Sequence, residues 1–320
     1  MNPLKHFNAR TLDDAVLAAN ENSLIIAGGT DCLSLLKNSI LPIYPQELVN
    51  IKTVSELDYI VEEAAGLRIG ALTRLADIVE SAVVTAEYGV LAEAAKSVAS
   101  PQIRNMGTIA GNLCQDTRCW YYRCSPFTGK SYFCTRKGGR VCFAVAGDNR
   151  YHAILGGKGC FAVNPSDLAV ALAALDARIT VKGTTSERAI PIKEFYTVQG
   201  NILKPHELVT DIWIPRPPPQ AKQRFLKFRL RKAIDFAIVS VASIITMEDE
   251  VCRDASIVLG AVAPVPLRAA EAEQAIKGKV VNEETAHNAA KASVAGATPL
   301  SGNAYKVEIA QALVKRAILF

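Results

Sequence analysis

Short apolar runs rich in β-branched residues alternate with amphipathic segments along the first hundred residues, and this alternation predicts a fold that mixes strands and helices. The run Leu24–Ile26 is too short for a helix and is predicted to be a buried strand. A threonine followed by acidic residues begins a segment at Thr11, which is typical of a capped helix. The predicted strands are 24–26, 47–51 and 67–70, and the predicted helices are 11–21, 32–40 and 74–99, the last broken around 87–89.

A run of prolines interrupts the pattern in the second half of the chain. Consecutive prolines do not continue a helix or a sheet, so Pro215–Pro219 predicts a linker. Before it, the polar cap Asn164–Asp167 precedes a strongly apolar segment, 168–175, which predicts a buried helix. The other predicted strands are 178–182, 207–214, 240–247 and 255–259, and the other helices are 271–276, 283–295 and 305–319. The chain is therefore predicted to be an α+β protein that has a separate α+β domain after the linker.

Composition limits the classes of function open to the chain. With 320 residues, half of them hydrophobic, two domains with large interiors are expected. The net charge of +5 is spread along the chain, and hydrophobic residues interrupt the one basic segment, 224–232, so nucleic-acid binding is not expected. No apolar run approaches the ~20 residues of a membrane span, and the N-terminus lacks a secretory signal. A cytoplasmic location is predicted, and export through a signal on a partner subunit stays open.

Two glycine-containing turns are candidate anion sites. Residues 27–31, AGGTD, join a predicted strand to a predicted helix, an arrangement in which backbone amides can point at a phosphate. A second turn, TIAGN at residues 108–112, precedes the cysteine-rich part of the chain. Taken alone, either turn is also compatible with an ordinary tight turn.

Five of the eight cysteines lie within one 42-residue stretch, from Cys119 to Cys160. Such a concentration of thiols indicates either disulfides or a metal site. Disulfides are rare in the cytoplasm, so metal ligation is favoured. The stretch has no C-x-x-C pair, which argues against zinc ribbons and redox dithiols, and four thiolates suit an iron–sulfur cluster. Structural zinc stays open as an alternative.

The two turns, the Asn164–Asp167 helix cap and the proline-rich linker occur in one order. Together they resemble the FAD-binding (medium) subunit of the molybdenum hydroxylases, the xanthine dehydrogenase and carbon monoxide dehydrogenase group, over essentially the whole chain. The resemblance implies an FAD-binding domain of the vanillyl-alcohol-oxidase and CO dehydrogenase flavoprotein type at residues 1–215, with subdomains at about 1–53 and 54–215. It also implies a CO dehydrogenase flavoprotein-like C-terminal domain at 216–320.

The resemblance further implies which residues contact FAD, although Ala110 departs from the family by standing in place of a glycine. On their own, Asp167 could be only a helix N-cap and Lys227 only a solvated strand lysine. The implied FAD-binding residues are Ala27, Gly28, Gly29, Thr30, Asp31, Thr108, Gly111, Asn112, Ser166, Asp167 and Lys227.

Residues 114–161 form an insertion relative to ordinary family members. The insertion resembles that of the 4-hydroxybenzoyl-CoA reductase beta subunit and of a periplasmic aldehyde oxidoreductase flavin subunit, and the resemblance implies a 4Fe–4S cluster. Its implied ligands are Cys119, Cys134, Cys142 and Cys160. Cys114 is interpreted as structural, Cys124 as ambiguous, and His152 as a strand residue rather than a ligand.

By resemblance, the chain is an oxidoreductase subunit that transfers electrons and has no catalytic residues of its own. Its implied partners are a large molybdopterin subunit and a small subunit with two 2Fe–2S clusters, in a heterotrimer or its dimer, with a ferredoxin-type or NAD-type external partner. The substrate of the complex is left open among aldehydes, N-heterocycles and aromatic CoA thioesters. A self-sufficient FAD oxidoreductase and a zinc-stabilised scaffold are the alternatives. The run Trp120–Tyr122 is expected either at a partner interface or packed over the cluster.

Overall fold

The computed structural model describes residues 2–129 and 132–320, and the N-terminal segment forms a small parallel sheet in the order β1-β3-β2. Thr11 begins its first helix with a reciprocal capping box to Asp14. The helix buries Ala15 and Val16, which pack with Val49 of the sheet. The elements are β1 (Lys5–Asn8), α1 (Leu12–Ala18), β2 (Ser23–Ile26), α2 (Cys32–Lys37) and β3 (Glu47–Asn50).

The middle segment forms an antiparallel sheet in the order β4-β5-β10-β6-β7, covered by helices. The five strands of this sheet are β4 (Ile60–Glu63), β5 (Gly66–Gly70), β6 (Arg178–Lys182), β7 (Glu187–Pro191) and β10 (Leu208–Pro215). The helices of the segment are α3 (Leu75–Glu80), α4 (Ala82–Glu87), α5 (Gly89–Ser97), α6 (Pro101–Arg104), α7 (Ile109–Leu113), α8 (Asp167–Ala174) and α9 (Ile192–Phe195). A two-stranded hairpin, β8 (Tyr196–Thr197) and β9 (Gly200–Asn201), lies beside this sheet.

The C-terminal segment forms an antiparallel sheet in the order β11-β12-β13-β14, with three helices packed on it. Helix α8 is apolar almost all round because it also packs on β12 and β13 of this sheet. The elements are β11 (Lys222–Phe228), β12 (Val239–Glu248), β13 (Val251–Gly260), β14 (Leu267–Arg268), α10 (Ala270–Ile276), α11 (Glu283–Ala292) and α12 (Tyr305–Leu319). The core around α8 therefore joins the middle and C-terminal segments.

Most predicted elements are confirmed, and the last helix has the predicted bounds. The predicted helix 74–99 has one break that was not foreseen, at Ser81, where the backbone is extended and the hydroxyl caps α4 by accepting from Val84 N. His152 is not in a strand, so that interpretation is wrong. Within the described ranges, no helix is long and apolar enough to cross a bilayer.

Candidate cofactor site

The first glycine-containing turn lies directly against the residues that lead into the second turn. A Cβ atom on Gly28 would lie 1.9 Å from the carbonyl oxygen of Met106, so only glycine permits this approach. Gly29 has a φ of +71°, in the left-handed region that favours glycine. Gly28 therefore lets the first turn approach the start of the second, and Gly29 shapes the first turn through its backbone.

Backbone amides of the first turn have no described acceptor. Within residues 2–129 and 132–320, the amides of residues 28–31 donate to no other described group. In the second turn, the Gly111 amide donates to Thr108 Oγ1 at 3.1 Å and the Asn112 amide to Thr108 O at 2.9 Å. An anion between the turns would therefore find its N–H donors on the first turn.

Ser166 links the second turn to α8. Its hydroxyl donates to Asn112 Oδ1 at 2.6 Å and accepts from the Ala169 amide at 3.0 Å. The same hydroxyl thus caps the helix and fixes the side chain of Asn112. Two residues of the implied FAD site, 54 positions apart in sequence, are held in contact here.

Asp31 binds two arginines of the cysteine-rich insertion. Its Oδ1 atom lies 2.7 Å from Arg118 Nη1 and 2.7 Å from Arg123 Nη2, and its Oδ2 atom accepts from the Asp116 amide at 2.8 Å. Burial lowers the pKa of Arg118 to about 10, with the Asp31 carboxylate acting in the opposite direction. Asp31 therefore anchors the insertion to the first turn.

Two cavities share part of their lining and are together called the cleft. The turn cavity, of about 560 Å³, is lined by both glycine-containing turns. The helix cavity, of about 440 Å³, lies between the start of α8 and the loop at residues 230–238. Val163, Asn164 and Pro165 line both cavities, so the cleft runs from the turns to the C-terminal segment.

Asp167 begins α8 and forms a buried ion pair with Lys227 of β11, at 2.6 Å between Oδ2 and Nζ. Burial raises the pKa of Asp167, and the Lys227 ammonium acts against this shift. Asp167 lines the helix cavity, and the side chain of Lys227 is only 4% exposed. Lys227 is therefore not a solvated strand lysine, and the cap of α8 is Ser166 rather than Asp167.

The four cysteines predicted as cluster ligands lie in one part of the insertion. Cys119 and Cys134 pack in the same apolar cluster, with Tyr122. Burial raises the pKa of the Cys119 thiol to about 11, and the nearby thiols of Cys160 and Cys142 contribute to the same rise. None of the eight cysteines forms a disulfide.

Two nitrogen groups contact these thiols. Cys119 Sγ lies 3.2 Å from His152 Nε2, and Cys160 Sγ lies 3.4 Å from Arg136 Nε. Burial lowers the pKa of His152 to about 4, so its ring is neutral at pH 7. In the part of the chain that the structure describes, no group of three or more His, Cys, Asp or Glu side chains is arranged to hold a single metal ion.

Two further thiols of this region have other described surroundings. Cys114 lines the turn cavity, and burial raises its pKa to about 12. Cys124 is half-buried, with its sulfur 3.4 Å from Thr128 Oγ1.

Two known family models together match almost the whole chain. A model described as the FAD binding domain in molybdopterin dehydrogenase matches residues 3–217. The chain belongs to the FAD-binding subunits of the molybdopterin dehydrogenases. A model of the CO dehydrogenase flavoprotein C-terminal domain matches residues 224–319 of this FAD subunit.

Similar proteins cover the FAD subunit almost completely. The aldehyde oxidoreductase FAD-binding subunit PaoB of Escherichia coli K12 is 35% identical, over 97% of this chain and 96% of its own length. The glyceraldehyde dehydrogenase medium chain of Sulfolobus acidocaldarius is 26% identical, over 98% of this chain and 96% of its own length. The structure of a carbon monoxide dehydrogenase from Hydrogenophaga pseudoflava aligns with a TM-score of 0.79 at 26% identity, over 99% of this chain and 97% of that chain.

These similarities confirm the predicted family, fold and oxidoreductase class. The chain is a flavoprotein subunit of a molybdenum hydroxylase-type complex, with an FAD-binding domain followed by a CO dehydrogenase flavoprotein C-terminal domain. The domain boundaries, the individual FAD contacts and the cluster ligands stay predictions.

Of the aromatic run in the insertion, Tyr122 is buried, whereas Trp120 and Tyr121 are half-buried. Tyr122 is buried and donates to Asp116 Oδ2, and Trp120 Nε1 donates to Asp148 O at 3.0 Å. Tyr121 stacks on Phe143. This arrangement favours the interpretation in which the aromatics pack around the thiols over the interface interpretation.

Three residues of the site were missed at the level of sequence. Asp116 accepts from Tyr122 and lies 3.6 Å from Arg136, and His152 contacts Cys119. Each contact joins positions without a shared periodicity, so no pattern indicated them. The one available signal concerned Arg136, which is a basic residue two positions after the predicted ligand Cys134.

Proposed function

We propose that this FAD subunit transfers electrons between a partner's 2Fe–2S clusters and an external acceptor or donor, through FAD in the cleft and a 4Fe–4S cluster on its own cysteines. The partners in this proposal are a large molybdopterin subunit and a small subunit with two 2Fe–2S clusters. When bound, FAD exchanges electrons either in pairs or singly. The observation that carries the proposal is the cleft, whose turn cavity is lined by both glycine-containing turns and whose helix cavity is lined by Ser166 and Asp167.

The donors along the cleft suit the parts of FAD. The amides of residues 28–31 would hold the pyrophosphate, since oriented N–H groups bind anions. Ser166 and Asp167 line the helix cavity and would contact the ribityl chain. Phe236 and Ile238 line that cavity and would exclude water from the ring. The buried Lys227 would hold the Asp167 carboxylate in place through their ion pair.

The proposed cluster is assigned to the cysteines that lie in one part of the insertion. A four-iron cluster is held by four thiolates around its outside. Cys119 packs with Cys134 in one apolar cluster, and the thiols of Cys142 and Cys160 lie near enough to raise its pKa. Cys119, Cys134, Cys142 and Cys160 are the residues that would hold the four-iron cluster.

The names of similar proteins guide the proposed substrate of the complex. The 35% identical relative is named an aldehyde oxidoreductase subunit, and a second relative is named for glyceraldehyde. We therefore propose an aldehyde as the substrate, oxidised on the molybdopterin subunit rather than on this chain. A cytoplasmic location is part of the proposal.

Co-purification with the neighbouring subunits tests the function. We expect molybdenum, one FAD per FAD subunit and more than about four iron atoms per protomer, since the small subunit adds its own. The complex should oxidise aldehydes, whereas the FAD subunit alone should reduce only dyes. Zinc in place of iron would favour the scaffold alternative, and substrate turnover by the isolated chain would favour the self-sufficient flavoenzyme. Turnover of N-heterocycles or CoA thioesters alone would contradict the aldehyde assignment.

A further inference from the structure

Arg136 is a buried cation that lies against one of the proposed cluster ligands. It belongs to the short turn Thr135–Lys137, and its side chain is 9% exposed. Its Nε–H group donates to Cys160 Sγ at 3.4 Å. The contact joins residues 24 positions apart and brings a guanidinium charge to the sulfur.

The rest of the guanidinium is held by the β8–β9 hairpin. Nη1 donates to Gln199 O at 2.8 Å, and Nη2 donates to Val198 O at 3.0 Å. With Nε on sulfur, three nitrogens of one planar group have fixed and separate acceptors. Lysine does not reproduce this geometry, because its ammonium is a single point charge on a flexible stem.

The charge on Arg136 is only partly offset. The nearest described carboxylate oxygen is Asp116 Oδ1, at 3.6 Å from Nη1, and that carboxylate also accepts from the Tyr122 hydroxyl and the Thr117 amide. A thiolate at Cys160 would therefore lie beside the Arg136 guanidinium, whose nearest carboxylate, that of Asp116, already accepts two other hydrogen bonds. Such charge-assisted contacts are stronger than neutral ones in a partly desolvated site.

We infer that Arg136 positions Cys160 and raises the reduction potential of the cluster held by the four cysteines. This inference rests on the proposed function. Reduction adds negative charge to the cluster and its thiolates, so a nearby cation and an N–H donor stabilise the reduced form more than the oxidised form. Hydrogen bonds to sulfur and local charge are general determinants of such potentials.

The test is a redox titration of the cluster in the purified holo complex, followed by electron paramagnetic resonance. For Arg136→Gln we expect about a tenfold lower ratio of reduced to oxidised cluster at a fixed ambient potential, which is a downward shift of about 59 mV for one electron. Arg136→Lys keeps the charge but loses the fork, so its shift should be in the same direction and smaller. Arg140→Gln is the control, because Arg140 is an exposed arginine of the same insertion and the same charge is removed.

Several outcomes would overturn the inference. A wild-type potential in Arg136→Gln with full iron content would do so, as would an equal shift in Arg140→Gln. Loss of iron from both Arg136 variants would make Arg136 a residue of cluster assembly instead of one that sets the potential. Absence of iron from the wild-type complex would contradict the proposed function itself, so the two failures are distinguishable. Because Arg136 also lines the turn cavity, FAD content is measured in each variant.

Discussion

Lys227 Nζ lies 2.6 Å from Asp167 Oδ2, and the two side chains are only 4% and 6% exposed. The pair joins β11 of the C-terminal segment to the first turn of α8, and Lys227 Nζ also donates to Ser97 O at 3.2 Å, at the end of α5. Three elements therefore meet at one ammonium group beside the helix cavity. Two charged groups that are buried away from water stabilise the fold only while each keeps its partner.

Removing one member of this pair should be costly. We expect Lys227→Met to lower the free energy of unfolding by about 3–5 kcal/mol, because Asp167 is left as an unpaired buried acid. The double variant Lys227→Met/Asp167→Asn should be less destabilised than the sum of the single variants, since neither charge remains. Denaturant unfolding of all three variants measures this coupling.

The matched control is an exposed pair in the same chain. Lys182 Nζ contacts Asp13 Oδ1 at 2.6 Å, but these side chains are 31% and 75% exposed. Lys182→Met should therefore change the free energy of unfolding by about 1 kcal/mol or less. Similar losses in Lys182→Met and Lys227→Met would show that burial of the Asp167 pair has no special consequence.

The two glycines of the first turn should respond differently to alanine. In Gly28→Ala the new Cβ would lie 1.9 Å from Met106 O, so the two turns must separate. We expect FAD affinity to fall at least tenfold, or about 1.4 kcal/mol. In Gly29→Ala the Cβ meets only the side chains of Leu33 and Ile26, and the left-handed backbone costs about 1–2 kcal/mol of stability.

Titration of FAD into apoprotein, followed by flavin fluorescence, separates these effects from stability. Gly89→Ala is the control, because a Cβ at Gly89 meets nothing within 4 Å and Gly89 lines neither cavity, so this variant should bind FAD as wild type does. Gly29→Ala should unfold at a lower denaturant concentration than wild type. Wild-type affinity in Gly28→Ala would mean that contact between the turns is not needed for FAD binding.

The cysteine assignments predict opposite results for two serine variants. Cys134 is 7% exposed and packs with Tyr122, so Cys134→Ser should lose iron and sulfide and destabilise the insertion, because a bound cluster contributes to folding. Cys124→Ser should keep wild-type iron content. Both are measured by iron and acid-labile sulfide analysis of the purified complex. Full iron in the first variant, or its loss in the second, would show that the ligand set is wrong.

Local patterns in the sequence predicted most of the regular structure. The bounds of α12 and the short strand β2 follow from residues that are neighbours in the chain, where periodicity and length carry the information. The first glycine turn was also recognisable, because a strand, a glycine pair and a helix follow one another. The resemblance supplied the other predicted FAD-binding residues, including Asp167 and Lys227.

The insertion was much less predictable, because separate long-range contacts hold it together. Asp31 pairs with Arg123 across 92 positions and with Arg118 across a similar separation. Neither separation produces a periodic pattern in the sequence. The contact of His152 with Cys119 spans 33 positions in the same way. Such contacts follow from the fold rather than from the local pattern, so a ligand set could be predicted from the resemblance, whereas the groups around it could not.

Lys306 should make stability rise with pH. It is fully buried, its Nζ donates to His152 O at 2.9 Å and to Ala261 O at 2.6 Å, and burial lowers its pKa to about 7. The unfolded chain keeps the ordinary lysine pKa of about 10.4. Between about pH 7 and pH 10 the unfolded state thus binds more protons than the folded state, so the free energy of unfolding rises by up to about 1.4 kcal/mol per pH unit.

Lys306→Gln removes this titration while keeping a neutral donor for the carbonyl oxygens. The difference in unfolding free energy between wild type and Lys306→Gln should therefore grow in favour of wild type as pH rises through this window, and stay constant below about pH 7. Denaturant unfolding at several pH values measures it. Lys291→Gln, at an exposed position on α11, is the control and should follow wild type throughout. Parallel curves for wild type and Lys306→Gln would mean that the buried amine keeps its proton in the folded chain, with its charge stabilised by the two carbonyl oxygens.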